Sequence, residues 1–187
     1  RGLGDVYKRQ DINLSTSDIT SLVAMQIRLL HEICETAGTT LRHVKPHGAL
    51  YNLSARDRSV ADAISRAIQE TNPKLLLFGL SGSCSADSAA AHGIRFVHEV
   101  FADRTYTDAV TLTPRSMPGA LHETTSAAMQ QVNRMLLEGK VVSTTGKVLN
   151  IHVDTICIHG DGAHAESFAK AISSHLLHNN ITLKSPQ

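Results

Sequence analysis

The sequence has no long hydrophobic run, no block of charge of one sign and only three cysteines, and each shortage excludes a class of protein. The longest apolar run, Leu75 to Leu80, is far shorter than the roughly 20 residues that a membrane-spanning helix needs. The 18 basic and 17 acidic residues are interspersed, so no basic patch indicates binding to nucleic acid. Cys34, Cys84 and Cys157 lie far apart, which argues against a disulfide framework or a thiolate zinc site and favours buried free thiols. The start of the chain lacks the layout of a signal peptide, so we expect a cytoplasmic protein without nucleic-acid or membrane partners.

What is present is the composition of an ordinary globular domain. The 187 residues are 42% hydrophobic and 19% charged, which is enough for one substantial core. Residues Arg1 to Gln10 resemble the translated end of a sequencing adaptor, so they are left out of the fold prediction as non-native. Residues 11–187 are then expected to form the C-terminal part of a single domain whose N-terminal part is missing.

Strand and helix patterns alternate along the chain. Ser15 or Ser17 caps a helix whose apolar residues keep helical spacing up to Gly38. Further on, strands are predicted over 41–45, 74–78, 94–98 and 155–158, and helices over 57–69, 85–92, 123–137 and 163–178. This alternation predicts the α/β class, with parallel strands and helices outside them.

The choice between an open sheet and a barrel depends on motifs. No Gly-x-Gly-x-x-Gly turn is present, which argues against a dinucleotide-binding sheet. Polar clusters follow at least three strands, and α/β barrels carry their chemistry at the ends of strands. A complete barrel takes about 250 residues, so an incomplete (β/α) barrel is predicted.

The first polar cluster follows the first strand. His43, Lys45 and His47 alternate along extended backbone and share one face, which we predict to be the interior of the barrel. Lys45 can hold an anionic oxygen or act as a base, and His47 can bind a metal or transfer protons. Tyr51 and Asn52 follow as further polar contacts. The alternative for any single histidine is a structural hydrogen bond to a backbone carbonyl.

The second cluster follows the third strand. Glu99 offers an acid or a base, and Arg104 offers a bidentate clamp for an anionic substrate. The alternative is an ion pair between Asp103 and Arg104 that only orders the loop. Arg115 lies on a proline-stiffened loop and is either another anion contact or a surface residue.

The third cluster, His159 and Asp161, lies between the last strand and the last helix. Backbone N–H groups at the start of that helix can receive an anion, and Asp161 can instead cap the helix. The remaining histidines on helices have no companions at ligand spacing and are interpreted as surface or packing residues; these are His31, His92, His122, His175 and His178.

Taken together, these motifs resemble the LamB/YcsF family, described as the A subunit of a bacterial ATP-dependent 5-oxoprolinase. The resemblance runs through five stretches: 43–52, 99–106, 114–120, 154–157 and 159–161. It implies a barrel of the glycoside hydrolase/deacetylase type. It also implies a reaction, with two further subunits (B and C), in which ATP drives the opening of 5-oxo-L-proline to L-glutamate, ADP and phosphate.

The resemblance leads to a hypothesis about roles. Lys45 and Arg104 hold anionic substrate oxygens, while His47, Glu99 or Asp161 deprotonates the attacking water. The other polar residues of the clusters are assigned to substrate binding; these are His43, Tyr51, Asn52, Asp103, Arg115 and His159. Whether ATP reaches this polypeptide is left open, and a divalent metal is possible but not identified.

Two other functions are kept as alternatives. A metal-dependent deacetylase or amidohydrolase on a related barrel is favoured by the histidines and carboxylates. A non-catalytic subunit that presents the small acid to its partners is the other. The sequence also departs from the family where Ala109 and Val110 replace an Asp-Gly turn, which should leave that turn strained or rebuilt.

Overall fold

The computed structural model describes residues 14–160 and 165–185, and it divides the chain into two compact units at His98 and Glu99. Each unit has its own set of strands and helices. The ten residues interpreted as adaptor-derived lie outside the described residues. Among the described helices, none is both long enough and apolar enough to cross a membrane.

The first unit contains two parallel strands and the start of a third. Strand β1 pairs with β2 in parallel, with His43 opposite Leu76, and the Leu77 N–H donates to the carbonyl of Arg95 at 3.0 Å. In chain order the elements are α1 (Thr16–Thr36), β1 (His43–Val44), α2 (Ala49–Arg56), α3 (Arg58–Thr71), β2 (Leu76–Leu80), α4 (Cys84–Ala91) and β3 (Phe96–Phe101), which continues into the second unit.

The core of the first unit lies between its long helices and β2. Helix α1 begins where the Ser15 hydroxyl accepts the N–H of Asp18 at 3.1 Å, as expected for a cap. Its buried face packs against α3, which is apolar on the facing side. The side chains that share this core include Ile19, Val23, Ile27, Val60, Ile64, Ile68, Leu75 and Leu77.

The second unit pairs the end of β3 with the last strand. Its elements are α5 (Thr125–Asn133), a π-helical turn (Arg134–Glu138), β4 (Lys140–Val142), β5 (Val148–Asn150), β6 (Thr155–Cys157) and α6 (Ala165–His178). Strand β3 pairs with β6 in parallel, with Glu99 opposite Thr155 and Phe101 opposite Cys157. Helices α5 and α6 pack together through Val132, Ile172 and Leu176.

The predicted α/β class and the parallel strand pairing are confirmed, but several element boundaries were wrong. Strand β1 is only two residues long, and helix α2 was not predicted. Strand β3 runs to Phe101, so Glu99 lies inside the strand rather than after it. The predicted helix over 123–137 ends in a π-helical turn, and β4 and β5 form an antiparallel hairpin that was not predicted. The three cysteines are free, as expected, but partly exposed rather than buried.

Candidate active site

The strongest cluster in the second unit is a pair formed by Asp103 and His159. Each residue follows its strand by two positions, and the strand residues Phe101 and Cys157 are directly paired. The parallel register therefore places the two side chains side by side. His159 Nδ1 lies 2.8 Å from Asp103 Oδ2, although 56 positions separate the residues along the chain.

The surroundings of this pair hold the imidazole in one orientation. The Phe101 ring stacks on the His159 ring, with centroids 5.4 Å apart and an interplanar angle of 21°. The Asp103 side chain is only 12% exposed, whereas the His159 side chain is 26% exposed. A neutral imidazole that donates from Nδ1 presents Nε2 as the nitrogen that can accept a proton.

The Asp103 carboxylate is buried and only partly satisfied. Its Oδ1 atom is buried and has no hydrogen-bond partner among the described residues. Burial opposes ionisation, but the hydrogen bond and the charge of His159 outweigh it and hold the pKa of Asp103 below its usual value. Asp103 is therefore expected to be a carboxylate that stabilises positive charge on the imidazole.

The backbone that carries Asp103 is held from several sides. The buried Tyr106 hydroxyl accepts the Phe101 N–H at 2.8 Å, and burial raises the pKa of this phenol. Gln131 donates to the carbonyls of Phe101 and Arg104, at 2.9 and 2.8 Å. The His122 N–H donates to the carbonyl of Asp103 at 3.0 Å. The segment 101–104 is thus fixed by hydrogen bonds to residues outside it.

Arg104 holds a loop together in this structure. Its guanidinium donates to the carbonyl of Thr113 at 2.5 Å and to that of Ala120 at 3.4 Å. Burial and the charge of Arg115 both lower the pKa of Arg104. Asp103 makes its ion pair with His159 at 2.8 Å, and among the described residues no Asp103–Arg104 ion pair within 4.0 Å is found, although the charge of Arg104 also helps to lower the pKa of Asp103. A substrate anion could therefore bind only to the N–H groups of Arg104 that do not make these two hydrogen bonds. The other predicted anion contact, Arg115, is exposed.

Glu99 occupies a different position from the one expected. It lies within β3, opposite Thr155, and is only 4% exposed. Asp161 lies outside the described residues, so its predicted roles as a base or a helix cap stay predictions.

The first unit contains the other predicted cluster. His43, Lys45 and His47 are all exposed, and that they share one face stays a prediction. The His43 ring lies 4.6 Å from the ring of Phe78, centroid to centroid. Lys45 Nζ lies 5.8 Å from the centroid of Tyr51, within the range of a cation–π contact. That this cluster faces the same cavity as the second and third clusters stays a prediction.

A sharp turn places this cluster at the start of α2. Gly48 has φ 62° and ψ −129°, a backbone conformation that residues other than glycine rarely adopt. Tyr51 is buried, and the Asn52 carboxamide donates to the Gly48 carbonyl at 3.3 Å. Asn52 therefore stabilises the turn that follows Lys45 and His47.

Residues 4–187 match the family described as LamB/YcsF. This chain belongs to the LamB/YcsF family. Its relatives include the 5-oxoprolinase A subunit of Tolumonas auensis, which is 43% identical over 185 residues, a match that spans 98% of this chain and 74% of the relative. The 5-oxoprolinase A subunit of Bacillus subtilis (strain 168) is 44% identical, across 94% of this chain and 69% of that protein.

A solved structure supports the same family assignment. The crystal structure of a lactam utilization protein from Thermus thermophilus matches with a TM-score of 0.85 and 35% sequence identity. The match covers 95% of this LamB/YcsF chain and 71% of the Thermus protein.

The LamB/YcsF chain also shows the predicted strain at its unusual turn. Val110 has φ 59°, a value that is a clear outlier for a β-branched residue. The turn is kept closed by the Val110 N–H, which donates to the Thr107 carbonyl at 3.1 Å. The turn is therefore strained rather than rebuilt.

Sequence reasoning missed the residues that hold the Asp103 segment. His122 was interpreted as a surface or packing residue, and Gln131 was not singled out. A signal for Gln131 exists, because it lies three positions after the buried Ala128 and next to the buried Val132. A carboxamide beside the core-facing side of a helix predicts a hydrogen-bond partner there.

Proposed function

We propose that this chain is the A subunit of an ATP-dependent 5-oxoprolinase, which opens the lactam ring of 5-oxo-L-proline to L-glutamate. The relatives are named as the A subunit of 5-oxoprolinase and the Thermus structure as a lactam utilization protein, and both names support this proposal. ATP is converted to ADP and phosphate by the complex, and two further subunits, B and C, complete the enzyme.

The observation that carries the mechanism is the 2.8 Å pair of His159 and Asp103. The Asp103 carboxylate fixes the proton on Nδ1 and stabilises the imidazolium that forms when Nε2 takes a proton. We assign His159 as the general base for the attacking water and Asp103 as its orienting partner. The sequence had assigned both residues to substrate binding.

The chemical step follows from that assignment. His159 takes a proton from water, the water oxygen bonds to the ring carbonyl carbon, the ring C–N bond breaks and the ring nitrogen takes up a proton. Before the first water attacks, ATP phosphorylates the lactam oxygen, which makes the ring carbon more electrophilic. After the ring opens, a second water releases the phosphate. Glu99 and Asp161, which the sequence offers with His47 as alternative bases for the water, are assigned supporting roles in moving the other protons.

The first-unit cluster is proposed to hold the substrate. Lys45 is an exposed ammonium that can bind the substrate carboxylate as a point charge, and His43 and His47, two positions away on either side, are also exposed. Tyr51 supports Lys45 through its ring.

We also place the protein in the cytoplasm, since its free cysteines are typical of a reducing compartment.

Replacing His159 by Asn in the full-length protein, assayed with subunits B and C, tests the mechanism. Loss of a general base is expected to lower turnover by about 10²- to 10⁴-fold, measured as glutamate and ADP released from 5-oxo-L-proline and ATP. His178→Asn is the matched control, because His178 is an exposed histidine on α6, and it should turn over at the wild-type rate.

The same assay separates the alternatives. Wild-type turnover by His159→Asn would remove His159 from the mechanism. Retained 5-oxo-L-proline binding without any rate loss from changes in the clusters would favour the non-catalytic binding subunit. A stoichiometric divalent metal in the full-length protein that is required for turnover would favour the metal-dependent amidohydrolase.

A further inference from the structure

Gln131 makes three side-chain hydrogen bonds, two to the segment that carries Asp103 and one to His122. The residue lies on α5, and its carboxamide nitrogen is 2.9 Å from the Phe101 carbonyl and 2.8 Å from the Arg104 carbonyl. Its carboxamide oxygen is 3.0 Å from His122 Nε2. A single side chain thus spans both ends of the segment 101–104.

The chemistry of the network fixes the direction of each bond. A carboxamide NH₂ has two N–H donors, and two carbonyls accept them here. The carboxamide oxygen is therefore an acceptor, and His122 Nε2 must donate to it. The His122 main-chain N–H donates in turn to the Asp103 carbonyl. His122 and Gln131 together donate hydrogen bonds to the carbonyls of Phe101, Asp103 and Arg104.

That backbone controls both contacts of His159. Phe101 supplies the ring that stacks on the imidazole, and Asp103 supplies the carboxylate that binds Nδ1. Both residues lie on the segment 101–104, whereas His159 follows a different strand. A small displacement of the segment would lengthen the 2.8 Å bond and tilt the stacked ring at the same time.

We propose that Gln131, supported by His122, is a positioning residue that holds Asp103 and Phe101 in register with His159. The inference rests on the proposed function for its effect on turnover, since His159 is the base there. Neither residue needs to touch substrate. Their effect is on the orientation and tautomer of the His159 ring.

We expect the protein to fold when Gln131 is replaced. Gln131 lines an open cleft of about 440 Å³ together with residues such as Gln130 and Val141, so the side chain is not enclosed in the core. Gln131→Met keeps the length of the side chain and removes all three hydrogen bonds. Gln131→Glu keeps the shape and the acceptor toward His122 but removes both donors. Gln130→Met, one position away on α5 and exposed, is the matched control.

Turnover is measured in the full-length protein with subunits B and C. Gln131→Met and Gln131→Glu should lower kcat by about 10- to 100-fold with KM changed by less than about 2-fold, because geometry at the base is lost while binding is kept. Gln130→Met should behave as wild type. A rise in KM with unchanged kcat in the Gln131 variants would overturn the proposal.

A second readout does not depend on turnover. Nitrogen-15 NMR of the histidine-labelled full-length protein reports which ring nitrogen of His159 carries the proton. The wild type and Gln130→Met should show the Nδ1–H tautomer, and the Gln131 variants should show a mixture with the Nε2–H form. An unchanged Nδ1–H signal in both Gln131 variants overturns the inference. If the wild-type complex fails to open the ring while the tautomer still changes, the proposed function fails and the positioning role stands.

Discussion

Val110 and Asn180 are the non-glycine residues with positive φ in the described part of the chain, and Val110 is the β-branched one. Its φ of 59° costs a residue with a Cβ roughly 1–2 kcal/mol, and glycine does not pay this cost. Val110→Gly should therefore raise the free energy of unfolding by up to about 1 kcal/mol, after the extra flexibility of glycine in the unfolded chain is subtracted. The measurement is the urea midpoint or the Tm.

Val110→Ala is the control for that change. Alanine keeps the Cβ and so keeps the strain, and it removes two methyl groups that are only partly buried. We expect it to be no more stable than the wild type. Equal stabilisation by alanine and glycine would show that the side chain beyond Cβ, and not the left-handed backbone, is the source of the strain.

Individual site residues could be predicted from the sequence, but their pairing could not. His159 and Asp103 were both named because polar residues follow strands in short, recognisable motifs. Their contact depends on the register of β3 against β6, which is set by long-range strand pairing. Arg104 shows the converse, since the sequence predicts that it binds a substrate anion but gives no sign that it also donates to the carbonyls of Thr113 and Ala120.

Among the helices, α3 has the clearest local determinant of its start. Asp57 Oδ1 accepts the N–H groups of Ser59 and Val60 at 2.9 and 3.4 Å, which is the geometry of an N-cap. The Ser59 hydroxyl bond is the main reason that the pKa of Asp57 is lowered. Asp57→Ala should destabilise the protein by about 1 kcal/mol, measured by urea unfolding at neutral pH.

Asp57→Asn separates the cap from other effects of the mutation. Asparagine keeps the side-chain oxygen that accepts the two N–H groups, and it is as favourable as aspartate at this position. Its stability should stay close to that of the wild type. If asparagine and alanine destabilise equally, the loss comes from the charge of Asp57 and not from capping.

The elements that were predicted well are those with strong local signals. Helix α1 has a serine cap and helical apolar spacing, and β2 is a short run of large apolar residues. The π-helical turn at 134–138 has no comparable signal, because it reads as a continuation of α5. The β4–β5 hairpin has strands of only three residues, and its turn is marked by Gly146 alone at φ 88°.

At the scale of the whole chain, the pairing of Asp103 with His159 should appear in the pH dependence of stability. The folded-state pKa of Asp103 is below its unfolded value, so the group stabilises the protein above about pH 4 and loses this contribution as the pH falls. The Asp103→Asn variant has no carboxyl group at this position, so it lacks this contribution at every pH. The variant should be less stable than the wild type at about pH 7, and this difference should be smaller at about pH 3, as measured by urea unfolding of the full-length protein.

His159→Ala provides the second arm, because His159 is the group that lowers the pKa of Asp103 against the cost of burial. With the imidazole gone, burial of the carboxyl is opposed only by a backbone hydrogen bond and the charge of Arg104, so the ionised form stabilises the fold less. The difference in stability between the two pH values should therefore shrink in His159→Ala as it does in Asp103→Asn. If both variants kept the pH dependence of the wild type, the 2.8 Å contact would not contribute to stability. Other carboxyl groups whose pKa is lowered, such as Asp62 and Asp108, would then account for acid unfolding.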